Sequence, residues 1–270
     1  MSADFLKLVD ARITRAEAQV SQIIADAQEW TKGNQITTEG ELLPGRLGFQ
    51  IRIAEMDELS IEAFSFPAGE CLHNLRSALD NLAYAMARLK KDPPDKPKAI
   101  EFPISLTEQA FNQTTKRMLP QLPSDIADAL RAMQPFQRAG RVLNGVYEGM
   151  PSDDPLLLLH RINISDKHHV PVAATLLPKE MHFSSLGEFE SDEAAARNVP
   201  PKVEIVLPLR RGQVFCRTIT ADPLVQISQT FQIQGHIALM AGEDVIEMEP
   251  ALRHLAQQVR IVIEYFRRFF

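Results

Sequence analysis

The stretch CLHNLRSALDNLAYAM, residues 71–86, has the hydrophobic pattern of a helix with two opposite faces. At about 100° per residue, His73, Arg76, Asp80 and Tyr84 fall within an arc of about 80°. The opposite side is apolar, and its residues are Leu72, Leu75, Leu79, Leu82 and Met86. This apolar stripe predicts a helix that packs against the core of the protein.

The polar face of this helix has two interpretations. In the first it is a solvent-exposed surface, on which Arg76 and Asp80 form an i,i+4 ion pair worth about 0.3 kcal/mol. In the second it lines a polar cleft. A solvent-exposed face is usually rich in Lys and Glu, whereas this one carries His73, Arg76, Asp80 and Tyr84. This helix alone leaves both interpretations open.

The sequence on both sides of this helix predicts an α+β fold. Apolar residues recur every three to four positions near both ends of the chain, which predicts terminal helices. Apolar and polar residues alternate over residues 46–66, around Met56-Asp57-Glu58, which predicts a hairpin. The same alternation returns after Val170 and predicts successive antiparallel strands, whereas the region between is helical.

We therefore predict one discontinuous α+β domain over residues 1–270, with an antiparallel sheet, long flanking helices and an inserted helical subdomain. The predicted ranges are 36–66 plus 170–241 for the sheet, 67–169 for the helical block, and 4–30 and 248–270 for the terminal helices. One helix of the block begins at PSDDPLLLLH (151–160), where an Asp cap at 153 or 154 precedes Pro155. The compositionally biased segment is the loop KKDPPDKPK, residues 90–98.

Charge and composition narrow the classes of function. The net charge of -6 and the pI of about 5.7 argue against general electrostatic capture of nucleic acid, so RNA would need a local basic patch. The two cysteines, Cys71 and Cys216, are far apart in sequence, which fits a reducing compartment. The chain starts without a signal-peptide pattern and lacks a continuous apolar run of about 18 residues, so we expect a cytoplasmic protein with no membrane partner.

A second segment, LLLLHRINISDKHH (156–169), places polar groups on a helix that begins fully apolar. These groups either form hydrogen bonds or line a cleft, because burying them unpaired is costly. Alternatively, they form an ordinary polar helix end, where Lys and His interact favourably with the helix dipole. The polar residues are His160, Asn163, Asp166, Lys167, His168 and His169, of which 160, 163 and 167 share one side.

If residues 71–86 and 156–169 lie side by side, their polar side chains can form one acid–base site. His73 and His168 would act as general acid and base, because histidine titrates near neutral pH. Arg76 and Lys167 would hold a phosphate or another anion. The two segments together therefore predict a site for phosphate chemistry.

The carboxylates of these segments have a supporting role in this hypothesis. Asp80 or Asp166 would fix the tautomer of an imidazole. Together with His73 and His168, they are also chemically suited to a divalent ion. No compact motif such as H-E-x-x-H is present, so we predict no metal site and no cofactor.

The two segments resemble those of an uncharacterised bacterial family. Its members carry a helix like HNLRSALDNLAY and a later segment like LLHRINISDKHH, in which an Arg often occupies the position of His169. The intervening IEFPIS (100–105) and AMQPF (132–136) are also similar to that family. The resemblance covers most of the chain but implies no particular activity.

A wider resemblance is to the HEPN helical domains, many of which are metal-independent ribonucleases with a motif of Arg followed by His. Arg161 and His168 match that motif, which implies RNA as a partner and a dimeric active site. We therefore expect an HEPN-like ribonuclease or another phosphodiester-acting protein. The expected catalytic residues are His73, Arg161 and His168, and the expected binding residues are Arg76, Asp80, Asn163, Asp166 and Lys167.

The alternative hypothesis is a non-enzymatic module that binds a ligand or a protein. Its His, Arg and Asp motifs would then form a buried polar network that joins two helices. The C-terminal segment EYFRRFF (264–270) bears on the oligomeric state, because exposed terminal phenylalanines would favour a homodimer. A helix packed on the sheet is the alternative explanation of that segment.

Overall fold

The computed structural model describes residues 2–138, 142–143, 146–147, 150–168, 172–179, 187–199, 202–227, 230–241 and 244–270. The α-helices in these ranges are α1 (Lys7–Gly33), α2 (Phe66–Arg88), α3 (Glu108–Thr114), α4 (Ser124–Ala132), α5 (Pro135–Arg138), α6 (Pro155–His168), α7 (Asp192–Arg197) and α8 (Met248–Arg267). Short 3-10 or π-helical turns cover Ser2–Leu6, Pro44–Arg46, Ile61–Ser65, Pro97–Ala99, Leu119–Gln121 and Pro151–Asp153.

The strands of the described ranges pair in an antiparallel manner. They are β1 (Ile36–Leu42), β2 (Gly48–Glu55), β3 (Val142–Leu143), β4 (Val146–Tyr147), β5 (Ala173–Pro178), β6 (Gly187–Phe189), β7 (Lys202–Ile205), β8 (Val214–Ile219), β9 (Leu224–Ile227), β10 (Thr230–Ile233), β11 (Gly235–Ala241) and β12 (Asp244–Glu247). The largest sheet has the order β10-β1-β2-β8-β7, so it joins strands from before and after the helical block. Smaller sheets are β12-β11-β5, β6-β9 and β3-β4.

Helices α1, α2, α6 and α8 pack side by side and supply much of the hydrophobic core. The predicted apolar stripe of α2 is confirmed, since its leucines and Met86 are buried. Helix α2 is buried on more sides than its two-faced sequence predicts, because α1, α6 and α8 all contact it. The long helices and antiparallel strands make the protein an α+β fold, as predicted.

The predicted hairpin over residues 46–66 is wrong. Strand β2 pairs with β1, across a turn in which Gly45 has a φ of 72° and the Leu43 N–H donates to the Gly48 carbonyl. The second apolar run does not form a strand, because it leads into α2 with Pro67 in the first helical turn. Proline is favourable there, since the first N–H groups of a helix have no intrahelical partner.

Gly48 is required at the start of β2. Its φ is 136°, and a Cβ atom at this position would lie 2.2 Å from the backbone oxygen of Thr218 on the neighbouring strand β8. We expect Gly48→Ala to lower the free energy of unfolding by at least about 2 kcal/mol, measured by urea denaturation. Gly33→Ala is the control, because nothing lies within 4 Å of a Cβ there. Equal stability of the two variants would contradict this packing.

The end of α8 does not expose its phenylalanines. Phe266 is fully buried, and Phe269 and Phe270 are partly buried against the core. The guanidinium of Arg268 lies over the rings of Tyr265 and Phe269, at 4.2 and 4.9 Å from the centroids. The terminal phenylalanines therefore pack wholly or partly against the core, in line with the alternative explanation of this segment. In the described ranges, no helix combines the length and the apolar character needed to cross a membrane.

Candidate functional site

Arg76 lies in a buried polar network instead of on an open helix face. Its side chain is 3% exposed, and its Nε and Nη2 atoms donate to the Asp80 carboxylate at 3.3 and 2.9 Å. Nη2 also donates to Glu101 Oε1 and to the Phe102 carbonyl, both at 2.7 Å. The predicted i,i+4 ion pair is therefore present, with its arginine covered by the segment IEFPIS and its Asp80 side chain 35% exposed.

The backbone of residues 102–105 obtains its hydrogen bonds from side chains. Asp80 Oδ1 accepts the Phe102 N–H at 2.9 Å. Gln134, which is fully buried, donates to the Pro103 carbonyl at 2.9 Å and accepts the Ser105 N–H at 3.0 Å. Buried peptide groups need such partners. The segments HNLRSALD and AMQPF thus both hold IEFPIS in place, the first through Asp80 and the second through Gln134.

A cavity of about 580 Å³ opens beside this network. Its wall contains four cationic side chains and one carboxylate, although the whole chain has a net charge of -6. His160 of α6 and several apolar side chains complete the wall. The charged residues are Arg76, Lys96, Lys98, Arg117 and Glu101. The cavity is therefore a local cationic site in an acidic protein.

Two nitrogen atoms of residues that line this cavity lack a hydrogen-bond partner in the part of the chain that the structure describes. Among the residues that the structure describes, Arg76 Nη1 and His160 Nδ1 are shielded from solvent and make no hydrogen bond. In the same part of the chain, Lys96, Lys98 and Arg117 form no ion pair. Most buried polar atoms in proteins are satisfied, so Arg76 Nη1 and His160 Nδ1 are exceptions among the described residues.

Gln121 fixes the position of two of these cations. Its amide nitrogen donates to the backbone oxygens of Lys96 and Arg117, at 3.3 and 2.9 Å. Its amide oxygen accepts the Lys96 N–H at 2.7 Å. The Lys-rich loop 90–98 is thereby joined to the turn that follows α3, which places both side chains on one cavity.

The titration of the site depends on its burial. Burial raises the pKa of the Asp80 carboxyl group, and the charge of Arg76 offsets part of that rise. Burial also lowers the pKa of His160 below its ordinary value of 6.5. The charge of Arg76 lowers that pKa further, whereas Glu101 acts in the opposite direction. Because this pKa lies below 6.5, the imidazole of His160 is neutral at pH 7.

The lowered pKa of His160 makes stability depend on pH. Below pH 6.5 the unfolded chain binds a proton at this position that the folded protein does not yet bind. Stability is therefore lost as the pH falls from 6.5 towards the lower pKa of the folded state. We expect His160→Gln to lose less unfolding free energy than the wild type between pH 7 and pH 5, measured by urea denaturation. The exposed His73, changed to Gln, is the control, and identical pH dependence of wild type and His160→Gln would contradict the assignment.

The other predicted site residues do not gather at this cavity. His73 is exposed, and its Nε2 lies 3.4 Å from Ser77 Oγ. Arg161 is also exposed, and its Nη1 donates to the Ser152 carbonyl at 3.3 Å. Asn163 is buried. Of the predicted site residues whose side chains are described, Arg76 and its partner Asp80 belong to the cavity network, whereas His73 and Arg161 are exposed.

The remaining predicted residues lie outside what the structure describes. These are the side chains of Asp166, Lys167 and His168, and all of His169. In the described part of the chain, no group of three or more His, Cys, Asp or Glu residues has the arrangement of a metal site.

The backbone nevertheless fixes the direction of α6. His160 lies near Arg76, whose charge affects its pKa, and the Ala174 N–H donates to Ser65 Oγ just before α2. Six residues of chain from His168 to Ala174 span at most about 20 Å. If α6 ran parallel to α2, His168 would lie about 28 Å from Ser65, which is too far for this connection. The last turn of α6 is therefore directed back towards the N-terminal half of α2, which contains His73.

The sequence did not single out Lys96, Lys98, Glu101 or Arg117. The one available signal is the cationic loop 90–98, whose charges are spaced by prolines and follow no helical or strand period. No protein-family model matches the chain, and the comparisons with curated proteins and with solved structures find no match either. The geometry of this cavity is therefore the evidence from which a function must be argued.

Proposed function

We propose that the protein binds an anionic ligand in the cavity beside Arg76 and His160. The observation that carries this proposal is the Arg76 guanidinium, which is buried and has an Nη1 atom without a partner among the described residues. An unsatisfied buried donor costs about 1–3 kcal/mol, and more when the group is charged. An anion bound beside Arg76 would supply the missing acceptor once a small shift of the wall uncovers Nη1, which is shielded from solvent.

The surroundings of Arg76 suit it to this task. Asp80, Glu101 and the Phe102 carbonyl hold Nε and Nη2 in one orientation, so the other edge of the guanidinium is already positioned. Binding to a preorganised group loses less conformational entropy than binding to a mobile one. The exposed Lys96, Lys98 and Arg117 add attraction at longer range. The polar network is thus proposed to support a binding site, in agreement with the second hypothesis from the sequence.

The test is calorimetric titration of inorganic phosphate at low ionic strength, with a pair of matched charge reversals. Arg117 lines the cavity, whereas the neighbouring Lys116 is exposed and does not. We expect Arg117→Glu to weaken phosphate binding at least tenfold and Lys116→Glu to change it less than twofold. Equal weakening by both variants, or no binding by the wild type, would refute the proposal.

A metal-independent ribonuclease is our second candidate function. It is favoured by the direction of α6, which runs back towards the half of α2 that carries the exposed His73, and by the exposure of Arg161. In this mechanism one histidine would take the proton of the RNA 2′-hydroxyl group, and Arg161 would stabilise the charge on the phosphorus centre. His168 is the expected partner of Arg161.

The ribonuclease proposal is tested with purified protein and RNA in the presence of a chelator. We expect cleavage by the wild type and its loss in both His168→Ala and Arg161→Ala. His254→Ala controls for the loss of a histidine from a different helix, α8. Cleavage that persists in His168→Ala, or that stops with chelator alone, would contradict this mechanism.

A further inference from the structure

The charges around the cavity indicate the charge of its ligand. Asp80 already compensates Arg76, and Glu101 also contacts it. The cations that remain uncompensated among the described residues are Lys96, Lys98 and Arg117. A single carboxylate would neutralise one of these cations, whereas a phosphomonoester carries a charge of about -1.5 to -2 and three acceptor oxygens at pH 7. The number of cations therefore favours a phosphate group.

The type of donor also favours phosphate. Asp80, Glu101 and the Phe102 carbonyl occupy Nε and Nη2 of Arg76, so Nη1 is left to donate a charge-assisted hydrogen bond to a phosphate oxygen. Among the other lining residues, His160 has a ring nitrogen and Arg117 a second guanidinium. Several donors around one tetrahedral group provide more contacts than a planar carboxylate can use.

Part of the wall is apolar. Its residues are Ala99, Phe102, Pro103, Ile104 and Met118. The cavity volume of about 580 Å³ lies within the range of about 300–1,000 Å³ that is usual for sites of small organic ligands. Inorganic phosphate alone would leave most of this space and all of the apolar wall without contact.

We infer that the ligand is an organic phosphate, with its phosphate group at the Arg76 end and its organic part against Ala99, Ile104 and Met118. This inference rests on the proposed function, because it specifies the ligand of the same cavity. The apolar wall contributes by removing apolar surface from water, at roughly 25 cal/mol per Å². Nucleoside phosphates and sugar phosphates share this chemistry, and the two are separated by experiment.

The test compares five probes by calorimetric titration of the full chain. The probes are adenosine 5′-monophosphate, glucose 6-phosphate, inorganic phosphate, adenosine and succinate. We expect at least one of the two organic phosphates to bind tenfold or more tightly than inorganic phosphate, and adenosine and succinate to bind at least a hundredfold more weakly than that phosphate ester. The tighter of the two esters identifies the organic part as a nucleoside or a sugar.

Two variants test the orientation. Met118→Ala removes part of the apolar wall. We expect this variant to bind the phosphate ester at least fivefold more weakly than the wild type, and to bind inorganic phosphate with an affinity within twofold of the wild type. Met118 is buried, and if this variant does not fold, Ala99→Glu on the short turn Pro97–Ala99 replaces it. The added carboxylate should lower the affinity for the phosphate ester at least tenfold.

The outcomes distinguish this inference from the proposed function. One outcome is that inorganic phosphate or succinate binds, that Arg117→Glu weakens this binding, and that neither ester binds more tightly. The proposed ligand class is then wrong, and the proposal of an anion-binding site is retained. If the esters bind tightly and Met118→Ala and Ala99→Glu have no effect, the proposed orientation is wrong. If no anion binds at all, both proposals are refuted.

Discussion

Asp154→Ala is expected to lower the free energy of unfolding by about 3–5 kcal/mol, because it removes the carboxylate that forms a buried ion pair with Arg138. The two side chains are 2% and 3% exposed, and the guanidinium contacts the carboxylate at 2.6, 2.7 and 3.0 Å. Asp154 Oδ1 also accepts the Leu156 N–H at 2.8 Å at the start of α6, so the helix cap is lost as well. Urea denaturation measures the effect.

The control for this prediction lies one residue earlier. Asp153 is exposed, and its side chain accepts the Met150 N–H at 3.0 Å without an ion pair to a buried cation. We expect Asp153→Ala to cost about 1 kcal/mol or less. If Asp154→Ala costs no more than Asp153→Ala, the Arg138–Asp154 pair does not hold α6 in the way the structure indicates.

Asp80→Ala should lower the free energy of unfolding by about 2–4 kcal/mol. The substitution removes the acceptor of the Phe102 N–H and the main counter-charge of Arg76. The expected cost is below that of a fully buried pair, because the Asp80 side chain is 35% exposed and Glu101 still contacts Arg76. Urea denaturation of the variant, with an unchanged slope against urea concentration, is the measurement.

His73→Ala tests whether Asp80 belongs to a buried network or, together with His73, to a single solvent-exposed face of α2. Sequence puts His73 and Asp80 on the same side of α2, but in the structure His73 is exposed. We expect a change within about 0.5 kcal/mol for His73→Ala. Similar effects of the two substitutions would mean that both residues belong to one face, and that the buried network around Arg76 does not form.

The local pattern was sufficient to predict α2 but not its surroundings. The spacing of its leucines gave the helix and the face that packs on the core. The same helical periodicity assigned Arg76 to the polar side. It contains no information on the segment IEFPIS, which buries Arg76 although it lies more than twenty residues later in the sequence. Contacts of this kind depend on tertiary packing, which hydrophobic periodicity does not report.

The candidate site was predictable only in part for a similar reason. Arg76 and His160 were visible because each lies on a helix with a recognisable polar stripe. Lys98 and Arg117 lie in irregular segments, and the bonds from Gln121 to the neighbouring backbone bring those segments together. A side chain that joins two loops through their peptide groups leaves no periodic signal in the sequence.

The hairpin error has a local cause. Alternation on both sides of Met56-Asp57-Glu58 satisfied the pattern of two strands, but a short apolar run before a proline is equally compatible with the entry to a helix. Pro67 decides between them, since it fits the first turn of α2. Leu43–Gly48, with two glycines at positive φ, supplies the actual turn.

The most direct measurement of the central claim is a crystal structure of the protein with the tighter-binding phosphate ester. The account predicts a phosphate oxygen within about 3 Å of Arg76 Nη1, with the organic part of the ligand against Met118. A phosphate bound only by the exposed lysines, or bound at another surface while Arg76 Nη1 stays unpaired, would contradict it.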